Sequence, residues 1–348
     1  MEDMMKKRNY YFDNAKFILI FLVVFGHLLR AFIEDNEVFF ALYKAIYTFH
    51  MPAFILVSGF FAKGFTEKGY VVKIAKKLIL PYIIFQVIYS VFYYYLFQKP
   101  ALTIDPFNPQ WSLWFLVSMF FWNLLLIPFT KLKPAAALSI AFAIGLAVGY
   151  LDWVSNYLSL SRTFVFFPLF LAGYYMKKEV FYSMFTVRKR LLAASIFLLV
   201  FAGFYLFPDM QYQWLLGSKP YEAMGVASVW AMFKRLGIYA LSFIMVLSFF
   251  AFVPRKQYFF TTLGKNTLYV YLLHGFFVRV FRESDIASYF DRTERIILLA
   301  GISLIIVFAL SSRLITSFTQ PLIELKASRT RKLLDRLAGG LSPGQERN

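Results

Sequence analysis

Residues 13–33 read DNAKFILIFLVVFGHLLRAFI, an apolar run long enough to cross a hydrocarbon core of about 30 Å as a helix. Charge and imidazole interrupt that run on one face only. Lys16 and His27 are eleven residues apart, about three helical turns, so they share a face and stand roughly 16 Å apart along the axis. Asp13, Arg30 and Glu34 fall on the same stripe, and Ile20 and Val23 fill its middle turns. One face of this helix must therefore look into protein or a wet cavity. A plainer account has Asp13 and Lys16 pairing at i,i+3 while the lysine snorkels, with His27 merely donating to a neighbouring helix.

Working outward, the chain has 348 residues, 60% of them hydrophobic and 16% charged, with 44 Phe and 23 Tyr. Apolar blocks recur at about 18 to 22 residues, the length of a membrane span. Candidate spans are 13–33, 38–62, 76–97, 111–128, 134–152, 160–176, 191–207, 236–253, 264–281 and 296–314. The expectation is an all-α integral membrane protein, a bundle of about ten transmembrane helices. The first span is expected to be retained, since no small-residue cleavage site interrupts it.

Basic residues cluster before the first span (Lys6, Lys7, Arg8), between the second and third (Lys63, Lys68, Lys73, Lys76, Lys77), between the sixth and seventh (Lys177 to Arg190) and in the tail (Lys326 to Arg336). With an even number of spans these lie on one side, which puts both termini in the cytoplasm. The division expected is a basic N-terminus over 1–12, a membrane domain over 13–315 and a basic cytoplasmic tail over 316–348. Within the tail, Glu324 to Ala338 has the pattern of a surface helix on the anionic inner leaflet, and the last ten residues that of disorder. Lys234, Arg235 and the run from Arg279 to Arg295 fall on the outer side and are exceptions. Residues 223–233 read as an extra half-span or a surface segment. The +18 formal charge is thus assigned to the membrane surface, with no nucleic-acid partner. There is no cysteine, so disulfides and thiol catalysis are excluded. No P-loop, dinucleotide fingerprint, H-E-x-x-H or nucleophile elbow occurs, and no metal is expected.

The three histidines, His27, His50 and His274, all lie within candidate spans, where an ionisable group is a functional-site hypothesis by default. The second span adds Tyr43, Tyr47, Phe54 and Ser58 at helical spacing around His50. Pro52 frees a carbonyl near Thr48 and is expected to kink the helix beside that histidine. An ordinary proline kink, met by Ser or Thr side chains, accounts for the same pattern. His274 has Tyr271 as its evident same-face neighbour, which suits an orienting or structural role. Gly145 and Gly149 are read as a helix-packing motif. The stretch Asp105-Pro106-Phe107-Asn108-Pro109-Gln110-Trp111-Ser112-Leu113-Trp114 mixes aromatics, amides and an acid, a mixture able to stack on a sugar ring; an interfacial Trp belt is the plainer account of Trp111.

Lys16-x10-His27 after Asp13-Asn14, followed by Phe49-His50-Met51-Pro52-x-Phe54-x3-Ser58-Gly59-Phe60, resembles the paired signatures of the integral-membrane acyltransferase family 3. Weaker echoes are Trp114-Phe115-Leu116 and Tyr269 to His274. The Asp13-Asn14-Ala15-Lys16 start is similar to stand-alone sugar O-acetylases related to fucose 4-O-acetylase. The resemblance implies O-acylation, usually O-acetylation, of an extracytoplasmic carbohydrate or glycolipid by cytoplasmic acyl-CoA, in a multi-pass protein of a bacterial plasma membrane. It also implies acetyl-CoA as donor, Lys16 as the residue that binds it, and His27 and His50 as catalytic. Asp105, Trp111 and Trp114 then become candidates for acceptor binding, and Asp13, Ser58, Tyr271 and His274 for orienting roles. Some members carry a fused hydrolase-like domain; here the bundle itself is expected to complete the transfer. Direct transfer and an acyl-histidine intermediate both fit the residues, and the oligomeric state is open. The rival class is a transporter of a polar or lipid-linked solute that uses the histidines for proton coupling, and a catalytically dead scaffold is a third.

Overall fold

A computed structural model describes residues 10–226, 228–328 and 330–331. Lys6, Lys7, Arg8, Arg329, Lys332, Arg336 and most of the expected surface helix lie outside them. Among the described residues there are helices and turns and no strand. The α-helices run α1 (Tyr10–Leu29), α2 (Glu37–Tyr47), α3 (His50–Phe60), α4 (Tyr70–Leu96), α5 (Trp114–Phe129), α6 (Pro134–Ala147), α7 (Leu160–Tyr175), α8 (Lys178–Tyr182), α9 (Val187–Leu206), α10 (Gln213–Leu216), α11 (Val229–Phe252), α12 (Thr267–Glu283), α13 (Ile296–Ser311) and α14 (Arg313–Ile323).

Among the described residues, six helical stretches are long and apolar enough to cross a bilayer: α1, α2 with α3, Trp111–Phe129, α9, α11 and Thr293–Ser311. The expected spans at 76–97, 134–152, 160–176 and 264–281 overlap α4, α6, α7 and α12, which are not among those six. On α9, Leu198 and Leu199 are 70% and 71% exposed, and on α13 Ile297 and Ile305 are 78% and 68% exposed. Apolar faces this bare need a cover, and in helices of this length the cover is lipid. The chain is a multi-pass membrane protein.

Polar contacts define two ends of the bundle. At one, Asn14 on α1 donates to the carbonyls of Pro254 and Lys256 and accepts from Thr261, and Asn266 donates to the Ser311 carbonyl. At the other, Asn36 caps α2 and donates to the Asp291 carbonyl and Thr293 hydroxyl, while Lys44 donates to the Pro208 carbonyl. α1 lies centrally, packed against α2, α3, α12 and α13.

The kink at Pro52 is a full break: α2 stops at Tyr47 and α3 restarts at His50. Pro52 sits in the first turn of α3, where its missing N–H costs nothing. The carbonyls around the break are taken up by Thr48 Oγ1, donating to Ala45 O at 2.6 Å, and by His50 Nδ1, 2.9 Å from Ile46 O. α3 then crosses α7 at backbone contact. A Cβ on Gly59 would run into the Phe170 carbonyl, and one on Gly173 into the Leu56 carbonyl.

Some expectations change. Gly145 lets α6 approach the α7 backbone, since a Cβ there would fall 3.2 Å from the Phe164 carbonyl as well as against the Tyr239 hydroxyl, whereas Gly149 makes room for the Tyr221 ring. The segment expected at 223–233 is in part the first turn of α11, which starts at Val229 rather than 236. Arg235, one of the topological exceptions, is buried between the rings of Trp214 and Tyr221. Helix α14 straddles the expected boundary at 315, and Glu324 faces the bundle, accepting from Tyr269 at 2.6 Å and Gln320 at 2.9 Å.

Candidate active site

Crossing of α1 and α12 sets the rings of His27 and His274 face to face, with centroids 5.5 Å apart at 22°. Trp111, in the helical turn that leads into α5, lies against both, 4.5 Å from His27 and 5.2 Å from His274. It can lie there because Gly275 on α12 has no side chain: a Cβ would strike the indole and the Tyr89 hydroxyl. On the other flank Tyr47, at the end of α2, places its hydroxyl 3.1 Å from His27 Nδ1 and packs edge-on to His50.

His50 Nδ1 faces the Ile46 carbonyl, and His274 Nδ1 faces the carbonyls of Val270 at 3.0 Å and Tyr271 at 2.8 Å. A carbonyl only accepts, so in this network each Nδ1 carries the hydrogen and each neutral ring keeps a lone pair at Nε2. His274 is fully buried and its Nε2 has no hydrogen-bond partner among the described residues.

Two cavities adjoin here, and the cluster, His274 apart, lines the first. One, of about 290 Å³, is lined by His27, His50, Tyr47, Trp111 and Trp114 and reaches the Arg30 end of the bundle. The other, of about 350 Å³, reaches the Lys16 end, with Lys16 and Lys77 among largely apolar walls and Ser58 within it. Val23, Met51 and Tyr271 line both, so these three side chains form the septum between them. Tyr271 is held there by its hydroxyl, which donates to the Ser112 carbonyl. Both volumes are near the lower end of small-molecule sites, about 300 to 1,000 Å³.

Lys16 lines its cavity and also pairs with Asp13, Nζ to Oδ1 at 3.0 Å, so the ion pair of the plainer account is present. Ser58 Oγ donates to the Phe54 carbonyl one turn back. Trp114 stacks on Phe166 and has the Arg162 guanidinium 4.9 Å from its ring. Asp105 is not brought to either cavity. It is exposed, and its carboxylate accepts from Phe107 N and Asn108 Nδ2 of its own loop. The Asn108 amide and then the Phe107 N–H hold it below the usual carboxylate range.

Several residues at the Arg30-end cavity were not singled out as site residues on sequence. Arg162, Tyr212, Arg279 and Arg282 line it along with Arg30. For Arg279 and Arg282 a signal was visible: they belong to the run on the side where the charge bias wants few cations, and such exceptions need a local reason. Among the described residues no group of three or more His, Asp or Glu is placed to hold a metal ion.

This is a polytopic helical protein in which two cavities abut at Val23, Met51 and Tyr271, with His27 and His50 lining one of them. The chain belongs to the acyltransferase family whose domain model matches residues 9–313. It is similar to the nodulation protein NolL of Sinorhizobium fredii, 52% identical over 60 residues, 16% of each chain. It is also similar to the nodulation protein NolL of Mesorhizobium japonicum, 31% identical over 155 residues, 39% of this chain and 42% of the relative. The aligned stretches therefore span less than half of either relative. No solved structure matches the chain.

Proposed function

We propose that this protein is a membrane O-acyltransferase that moves an acyl group, acetyl being the reading adopted, from cytoplasmic acyl-CoA to a hydroxyl of a cell-envelope or exported carbohydrate. The observation that carries this is the pair of cavities meeting at Val23, Met51 and Tyr271, with His27 on one side and Lys16 on the other.

The Lys16 end suits the donor. Lys63, Lys68, Lys73, Lys76, Lys77, Lys177 and Lys178 belong to this end, and the positive-inside bias assigns it to the cytoplasm. Lys16 and Lys77 suit the phosphates of coenzyme A, and the apolar walls suit its thin arm. The donor supplies an acyl group activated as a thioester. His27 takes the proton from the acceptor hydroxyl as that oxygen bonds to the acyl carbon, and returns it to the departing thiolate. Tyr47 fixes the ring through Nδ1, and Trp111 and His274 fix its plane. His50 lines the acceptor cavity within reach of the same hydroxyls. Residues 13–315 form the acyltransferase unit in this reading, with the basic flanks in the cytoplasm.

The test is acetyl transfer by His27 variants. Wild-type protein given acetyl-CoA and envelope glycan should release free coenzyme A and raise glycan O-acetyl content. His27→Ala and His27→Gln should express and bind acetyl-CoA, since one imidazole lost from a bundle costs about 1 to 3 kcal/mol. Their transfer rate should fall by at least roughly 10². Appreciable acetylation by well-expressed His27→Ala overturns the assignment.

A further inference from the structure

The cavity at the Arg30 end is lined by Arg30 from the turn after α1, Arg162 from α7, and Arg279 and Arg282 from α12, and by no carboxylate. Four guanidiniums around one cavity of about 290 Å³ repel one another unless an anion lies among them. The nearby acids do not supply it. Glu34 pairs with Arg30 at 3.3 Å but is largely exposed, and Glu283, next to Arg282 in the chain, is exposed and does not line the cavity. Among the described residues no ion pair reaches Arg162, Arg279 or Arg282. Arg279 packs against the Trp111 ring at 5.1 Å, and its Nε is buried without a hydrogen-bond partner. Arg162 spends its donors on the Leu216 carbonyl and Asn156, both at 3.3 Å, the weak end of hydrogen-bond geometry.

Resting on the acyl-transfer reading, we infer that the acceptor is an anionic glycan, one carrying a phosphate or carboxylate beside the hydroxyl that is acylated. Guanidiniums are the groups best matched to both, since their planar donors meet two oxygens at once. The placement fits the chemistry: Trp111 bridges His27 and Arg279, so an anion held by Arg279 and Arg282 leaves the adjoining ring to lie against the indole with a hydroxyl toward His27. A neutral sugar would leave the arginines desolvated and unmatched, which is costly.

The test uses purified full-length protein and the fluorescence of tryptophan, since Trp111 and Trp114 line the cavity. Glucose 1-phosphate, glucuronate and methyl glucoside serve as probes. The anions should bind at least about tenfold tighter than the neutral glycoside, the yield of one charge-assisted contact. Arg279→Gln and Arg282→Gln should abolish that preference, and Arg279→Lys should restore part of it, while acetyl-CoA affinity stays unchanged and reports an intact fold. Phosphate over carboxylate, or the reverse, identifies the source of the charge. Equal binding of charged and neutral probes overturns the proposal. So does loss of acetyl-CoA affinity in Arg279→Lys or Arg282→Gln, which would make the arginines the donor's phosphate site. Failure of acetyl transfer by the wild type, with the anion preference intact, would count against the acyltransferase reading alone.

Discussion

Lys16 stands at the mouth of its cavity with the Asp13 carboxylate 3.0 Å away, so the same ammonium serves an ion pair and faces the space assigned to the donor. The two roles separate by kinetics. If Lys16 contacts a donor phosphate, Lys16→Ala loses about 1.5 to 3 kcal/mol, a rise of roughly 10- to 150-fold in acetyl-CoA KM, and Lys16→Arg retains most of the contact. An unchanged KM in Lys16→Ala, with lowered thermal stability, would leave only the pair with Asp13. At this scale the stripe on α1 was legible because helical spacing alone sets it. The stacking of His274 on His27 was not, since 247 residues separate them and only the crossing of α12 with α1 brings them together. The arginines show the same limit. Arg279 and Arg282 were visible as odd charges and Arg30 as part of the stripe on α1, but their convergence with Arg162 on one cavity is tertiary.

Between helices, the α3–α7 crossing is a tight join near the site, because Gly59 and Gly173 each meet the backbone of the facing helix. A carbonyl cannot move aside as a side chain can, so Gly173→Ala must spread the helices. The expected cost is about 1 to 3 kcal/mol, seen as a lower melting temperature in detergent, together with a loss of transfer, since α3 carries His50 and Met51. A Gly173→Ala variant with unchanged melting would show the crossing to be slack. The break at Pro52 was readable from one residue type, as proline's missing N–H acts locally. Gly145 and Gly149 were readable as close contacts but not for what they contact, because a small residue announces a space and leaves its occupant to the rest of the fold.

For the whole molecule, the orientation proposed above rests on charge bias, and a chain without cysteine makes it easy to check. Single cysteines at the exposed positions Asp35 and Ala101 should react with an impermeant thiol reagent outside intact cells, while those at Lys68 and Ser183 should not. The opposite pattern would place the Lys16 cavity outside and remove its access to cytoplasmic acyl-CoA. The span pattern was legible along the chain because bilayer thickness imposes a length. The septum of Val23, Met51 and Tyr271 was not, being drawn from three helices. It has an electrical consequence. A cell membrane holds a voltage, and two wet vestibules facing opposite aqueous phases would discharge it if they joined. In the proposed orientation, one valine, one flexible thioether and one tethered phenol would be the insulation of this protein, and an acyl group passing that point would do so without a continuous file of water behind it.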